Sequence, residues 1–102
     1  MNYAQAVAFY RLAAAQGLDE AQYWLGCMYR YGEGVAQDYA EALRLFQLAA
    51  AQGHADALYE VADCHELGDG VAADVAGAIR WYMRAQAAGD TEAAGKLQQL
   101  SA

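Results

Sequence analysis

The sequence predicts an all-α solenoid of stacked helix pairs, and three observations carry that prediction. A segment opening as YAQAVAFYRLAAAQG at Tyr3 returns as YAEALRLFQLAAAQG at Tyr39 and as VAGAIRWYMRAQAAG at Val75, each 36 residues after the last. Alanine, the strongest helix former, recurs in tracts such as Leu12–Ala15 and Leu48–Ala51, while proline, the strongest breaker, is absent from all 102 residues. The intervening segments repeat as well: EAQYWLGCMYRYGEGVAQD from Glu20 aligns with DALYEVADCHELGDGVAAD from Asp56, and a third copy, EAAGKLQQLSA, runs from Glu92. A period of this length marks helix pairs that bury their apolar faces only by stacking on their neighbours. One domain with units 3–38, 39–74 and 75–101 follows.

Each element has readable ends. Asn2, Asp38 and Asp74 stand where a side-chain oxygen can accept from the free amides of a first turn, which starts helices over 3–16, 39–52 and 75–88. Gln5 and Glu41, three residues on, complete capping boxes, and Gly77 breaks the third. Gly17, Gly53 and Gly89 close these helices. The alternate helices, 19–31, 55–67 and 91–100, open on acids that favour the positive end of the helix dipole (Asp19, Glu20, Asp56, Asp90, Glu92), and Gly32 and Gly68 end the first two. The repeat also predicts the core. Ala6/Ala42/Ala78, Tyr10/Phe46/Tyr82 and Ala13/Ala49/Ala85 lie on one face of one helix type, and Ala21/Ala57/Ala93 with Leu25/Val61/Leu97 on one face of the other. Gly26 and Ala62 let the helices approach closely.

Composition narrows the function. A net charge of −7, from 6 basic and 13 acidic residues, argues against a nucleic-acid partner, which requires a basic stripe, and suits a neutral or basic one. No apolar run reaches the roughly 20 residues that span a bilayer, so no membrane partner is expected. No basic segment leads into an apolar one as in a signal peptide, and two cysteines make no disulfide framework; both features lean toward the cytoplasm without naming a compartment.

The stretch DCHELGDGV, Asp63–Val71, looks like chemistry, with a carboxylate, a thiol and an imidazole in a row. Superposed one repeat back it falls on CMYRYGEGV, Cys27–Val35, the end of a helix and its exit turn. Consecutive helical residues point about 100° apart, so Asp63, Cys64 and His65 cannot converge on one atom. The spacing H-E-x-x-H is missing, and the Gly-acid-Gly turns match neither the P-loop nor the dinucleotide fingerprint. No Ser-x-x-Lys or Gly-x-Ser-x-Gly occurs, and the single serine is Ser101. No metal, cofactor or catalytic residue is expected. His65 reads as a hydrogen-bonded packing residue, His54 as a solvated one, Cys64 as a buried free thiol and Cys27 as a residue on the opposite side of its helix.

The motif AQYWLGCMYRYGEGV, with Asp38, Ala42, Phe46, Ala49, Ala50 and Gly53 beyond it, resembles the Sel-1-like repeat, a 36-residue relative of the tetratricopeptide repeat. The second copy departs from it, carrying Val61, Ala62, Cys64 and His65 where the first has Leu25, Gly26, Met28 and Tyr29. The resemblance implies a right-handed α/α superhelix of about three 36-residue helix-pair repeats. It also implies a non-catalytic scaffold or adaptor that binds a peptide or protein segment in a concave groove lined by helices 19–31, 55–67 and 91–100. The groove residues would be Glu20, Tyr23, Cys27, Arg30 and Tyr31, then Asp56, Tyr59, Asp63, Glu66 and Leu67, with Glu92, Gly95 and Gln99 beyond. Tyrosines suit peptide recognition, and the acids favour Lys or Arg in the partner. Disulfide-stapled members pair cysteines much closer in sequence than Cys27 and Cys64, so no bridge is expected between these two. The alternative reading, a small-ligand or hydrolytic, penicillin-binding-like protein working through the acidic groove, requires Tyr23, Tyr59, Asp63 and Glu66 to converge in a closed pocket.

The first helix is expected to be an unfinished end. Met1–Tyr10 carries no charge, Val7, Phe9 and Leu12 extend an apolar surface beyond Ala6/Tyr10/Ala13, and the positions equivalent to Ala8 hold Arg44 and Arg80. Terminal repeats normally present a polar outer face. Either further repeats precede this one or a second copy covers helix 3–16 as a homodimer.

Overall fold

The computed structural model describes residues 2–101, and among them the chain is all-helical. The helices are α1 (Tyr3–Ala15), α2 (Asp19–Tyr31), α3 (Tyr39–Ala50), α4 (Ala55–Leu67), α5 (Val75–Ala87) and α6 (Glu92–Ser101). They stack in chain order as a right-handed α/α superhelix, 43 Å long and 23 by 19 Å across. Each helix packs on the next, most extensively α2 on α3 and α4 on α5. Expected helix limits agree to within two residues, the ends of α1, α3 and α5 falling one or two residues early.

The caps show which local signals act. The Asn2 side chain accepts from the Gln5 amide at 2.8 Å and the Gln5 side chain accepts from the Asn2 amide at 3.1 Å, a complete capping box. Asp38 and Asp74 accept in the same way from Glu41 and Gly77. The second box stays half-formed, contrary to expectation: the Asp38 amide donates to the Tyr29 carbonyl at 2.9 Å, and Arg44 takes the Glu41 carboxylate in two 2.7 Å bonds.

The core consists of two clusters. Ala42, Phe46, Ala49, Ala57, Val61, Cys64, Ala78, Tyr82, Ala85 and Ala93 form the larger, each fully buried. Val7, Ala14, Ala21, Leu25, Met28 and Leu45 form the smaller. Val7 therefore corrects the sequence reading: it is 3% exposed, facing α2 rather than extending an outer surface. Phe9 and Leu12 are exposed, and the stripe Ala6/Tyr10/Ala13 is half-buried where its equivalents in α3 and α5 are sealed. At Gly26 α3 lies close on α2: a Cβ there would stand 2.8 Å from the Phe46 ring.

The Gly-acid-Gly turns close each unit on its own first helix. Gly34 and Gly70 have φ of +77° and +78°. A Cβ at Gly70 would lie 2.6 Å from the Tyr39 carbonyl oxygen, and one at Gly34 would lie 2.9 Å from that of Tyr3. Each turn thus seats the first turn of the first helix of its own pair, with Tyr3 Oη also donating to Glu33 at 3.0 Å. Their glycines serve packing, with no phosphate cradle required.

Candidate functional site

The face built from α2, α4 and α6 is joined by a polar seam. Arg30, in the last turn of α2, is only 4% exposed. Its Nη1 donates to Glu60 at 2.5 Å, and its Nη2 donates to Asp63 at 2.7 Å and to Asp69 at 3.3 Å. The Gln37 amide donates to the Arg30 carbonyl at 2.7 Å and holds the turn beside it. At the next joint the Tyr82 hydroxyl donates to Glu66 at 2.7 Å, with Lys96 Nζ 3.4 Å from the same carboxylate. Burial, then the bond to Glu66, raises the Tyr82 phenol well above its ordinary range, so it stays a donor.

This seam corrects two of the expected groove residues. Cys27 and Arg30 are buried, and Cys27 borders a cavity that it shares with residues of α1 rather than with α4. Burial, then the nearby Glu60, pushes the Cys27 thiol up to about 12, and burial pushes Cys64 up to about 11. Both free thiols are therefore protonated at neutral pH and lack nucleophilic character. Asp63 and Glu66 are partly buried and already engaged by Arg30, Tyr82 and Lys96. Glu20, Asp56, Tyr31 and Leu67 are exposed, and Tyr23 and Tyr59 are half-buried. Tyr23 packs edge-on to Trp24 and tilted on Phe46, and Tyr59 packs edge-on to Tyr82.

Glu60 escaped the sequence reading. Burial raises its carboxyl pKa and outweighs the pull of Arg30 in the other direction. A carboxyl with a raised folded-state pKa binds its proton more tightly when folded, so stability falls as pH rises from the ordinary value through the raised one. Glu60→Gln is expected to remove that part of the decline; parallel melts from pH 4 upward should show the variant gaining on the wild type as pH rises, and a variant losing ground with rising pH would contradict this. The signal for Glu60 was present in the charges: a lone arginine ends α2, and acids repeat one turn apart on the equivalent helix.

His54 is the second correction. It is buried rather than solvated, and it caps α4, its Nδ1 accepting from the Ala57 amide at 3.1 Å. That tautomer leaves Nε2 to donate to the Glu20 carboxylate, while the ring stacks on Tyr23 at 4.9 Å. His65 is a packing residue, but through a stack on Trp81, 6.2 Å and 13° between rings, and not through a side-chain hydrogen bond. The row Asp63, Cys64, His65 is dispersed: the first faces Arg30, the second lies in the core, the third meets α5. Among the described residues, no three His, Cys, Asp or Glu side chains are grouped to hold a metal ion.

Two cavities lie away from the seam's carboxylates. One of about 480 Å³ separates α1 from α3 above α2, lined by Arg11, Gln22, Tyr29, Arg44, Leu45 and Leu48 among others. One repeat on, Trp81 stands at the place of Leu45 and packs between His65 and Arg84. The other cavity, about 290 Å³, lies against α1 and α2, lined by Tyr3, Ala6, Tyr10, Trp24, Cys27, Met28 and Glu33 among others. Neither is lined by Tyr59, Asp63 or Glu66, so the four residues named for a hydrolytic pocket do not converge in either.

A stack of six helices in pairs, with polar joints, buried thiols and an exposed acidic edge, defines an α/α repeat protein. The chain belongs to the Sel1 repeat family, whose pattern matches residues 2–18, 19–54 and 55–90. Members of that family generally serve as protein-interaction scaffolds. A protective antigen of uropathogenic Escherichia coli with an SLR fold superposes with a TM-score of 0.92 and 42% identity, over 94% of this chain and 21% of that one. A Sel1 repeat protein of Oxalobacter formigenes gives 0.88 and 41% over 90% of this chain and 27% of that one. Cysteine-rich protein B of Helicobacter pylori, 21% identical, shares the fold, with a TM-score of 0.88 over 95% of this chain and 73% of that one. The chain thus spans about a fifth to a quarter of the length of the first two. No curated protein matches it.

Proposed function

We propose that this chain is a non-catalytic adaptor that holds a basic segment of a partner protein along the face of α2, α4 and α6. One observation carries the reading: Glu20, Asp56 and Glu92 are exposed at equivalent places in the first turns of three successive helices. Half-buried Tyr23 and Tyr59 stand one turn behind the first two, and exposed Tyr31 and Leu67 close the same helices. Phenol rings offer rigid area with a polar tip, and a regular row of carboxylates suits spaced Lys or Arg side chains. The buried Arg30 and Cys27 act beneath this surface and hold its helices in register.

The test reverses charge where no internal contact is lost. Immobilised chain and the Asp56→Lys/Glu92→Lys variant are compared for proteins captured from native lysate at low and at physiological salt. Attraction between exposed charges is screened within about 8 Å at physiological ionic strength, so the wild type should hold more partner at low salt and the variant should lose it. Equal capture by both, at both salts, would remove the acidic row from the binding surface.

A further inference from the structure

We propose that the cavity between α1 and α3 above α2 binds a small aromatic carboxylate, with the ring on a leucine bed and the carboxyl group on Arg11. None of the residues assigned to the α2, α4 and α6 face lines this cavity, and the site is independent of that reading. Its flanks and its floor are helices of this chain, and its volume of about 480 Å³ is that of a small-ligand site.

The chain itself shows what fits there, because the same place one repeat on holds a ring. Adding 36 turns Leu45 into Trp81, Tyr29 into His65 and Leu48 into Arg84. Trp81 lies nearly parallel to His65, with 13° between the rings and the Arg84 guanidinium 4.7 Å from its centroid, and it packs against the larger core cluster. In the first unit the shorter Leu45 leaves space beside it. Tyr29 offers a ring at the place of His65, and Leu25, Leu45 and Leu48 give an apolar bed. A flat body of indole size from outside the chain would take the position that Trp81 takes from within it.

The lining sets the ligand's charge. The protein carries 6 basic residues against 13 acidic ones, yet Arg11 and Arg44 both border this cavity. The one acid beside them, Glu41, is held by Nε and Nη2 of Arg44. Arg11 has no acid of its own among the described residues; its Nη2 donates to the Tyr29 hydroxyl at 2.9 Å, a neutral partner. Two cations and one carboxylate leave a single positive charge, which suits a monoanion. A guanidinium matches the two oxygens of a carboxylate with paired donors. Gln22, 5% exposed, adds a buried donor: its Nε2 has two hydrogens and, among the described residues, one acceptor, the Ala14 carbonyl at 3.4 Å. One repeat on, where the ring is built in, Arg11 and Gln22 are replaced by Gln47 and Leu58.

The probe is indole-3-acetate, titrated into the isotope-labelled full chain. Resonances of Tyr29, Leu45 and Leu48 should shift saturably with a Kd below about 1 mM, within reach of a ligand this small, while those of His65 and Trp81 stay. Uncharged 3-methylindole should bind about tenfold more weakly, the loss of one charge-assisted pair. Two variants borrow residues from the next repeat. Arg11→Gln should weaken indole-3-acetate by about tenfold and leave 3-methylindole within about twofold. Leu45→Trp should fill the cavity and abolish binding of both; should that variant fail to melt cooperatively, Arg11→Gln, an exposed change, decides alone. Arg80→Gln, outside the cavity, should bind as the wild type does. A polypeptide ending in an aromatic residue carries the same ring and carboxylate, and N-acetyltryptophan stands in for it: tighter binding than indole-3-acetate assigns the site to a chain terminus, weaker binding to a free acid. Absence of a saturable shift up to about 5 mM would overturn the assignment. So would equal binding of 3-methylindole, an Arg11→Gln chain that binds like the wild type, or shifts at His65 and Trp81 in place of Tyr29 and Leu45.

Discussion

Arg30→Ala is expected to destabilise the chain by about 3–5 kcal/mol, the range found when one partner of a buried ion cluster is removed. The guanidinium is 4% exposed, and Glu60 and Asp63 beside it are 14% and 19% exposed. Without it these carboxylates remain close together in a dry seam with no counter-charge. A domain of this size loses roughly 4–8 °C in melting temperature per kcal/mol, so thermal denaturation should show a drop above about 12 °C. The triple change Arg30→Met/Glu60→Gln/Asp63→Asn should recover most of that loss, because it removes the charges together. A drop corresponding to less than about 1 kcal/mol would mean that the seam behaves as a solvated surface pair.

Gly70→Ala is expected to cost about 3 kcal/mol or more, and Gly53→Ala about 1–2 kcal/mol. Both glycines have left-handed φ, +78° and +84°, a conformation that costs an L-residue about 1–2 kcal/mol. The difference lies in the surroundings. A Cβ on Gly53 meets nothing within 4 Å, whereas one on Gly70 lands 2.6 Å from the Tyr39 carbonyl oxygen, and a displaced backbone adds the cost of an overpacked site. Gly34→Ala should fall between them, since a Cβ there stands 2.9 Å from the Tyr3 carbonyl oxygen, a smaller overlap than at Gly70. Chemical denaturation of the three variants in parallel gives the ranking, and equal losses at Gly53 and Gly70 would deny the interlock.

The elements that could be read from the sequence are those whose causes are local. A 36-residue period, asparagine and aspartate caps and closing glycines determine where helices start and stop, and the observed limits follow them. The core stripe Phe46/Tyr82 follows equally from spacing. What the sequence concealed depends on pairs distant along the chain. Arg30 looked like a groove residue because it lies on the right side of α2; that it is buried depends on acids 30 to 39 residues later. His54 looked solvated beside Gly53, but Tyr23 and Glu20 of the preceding pair close over it. Val7 lies off the stripe that faces backward along the stack, yet α1 also has a forward face, Val7 and Ala14, that meets α2. The tyrosine row of the candidate face was legible; its partial burial, set by packing against Phe46 and Tyr82, was not.

A chain made of near-copies risks assembling in the wrong order, because any helix pair resembles the intended neighbour of any other, and mispairing or exchange between molecules is a characteristic failure of repeat proteins. The seam described above works as a set of keys. One joint places a cation into three carboxylates, and the next places a carboxylate against a phenol and an ammonium group. Shifting the stack by one unit would set Arg30 toward Lys96, or Glu66 among the acids of α4, and either arrangement buries like charges together. The apolar stripes, nearly identical in each unit, hold the helices against one another without distinguishing between them. The charges supply the addresses that fix which repeat follows which, and unrelated arrays with different charge patterns at these joints would refuse to splice into this one.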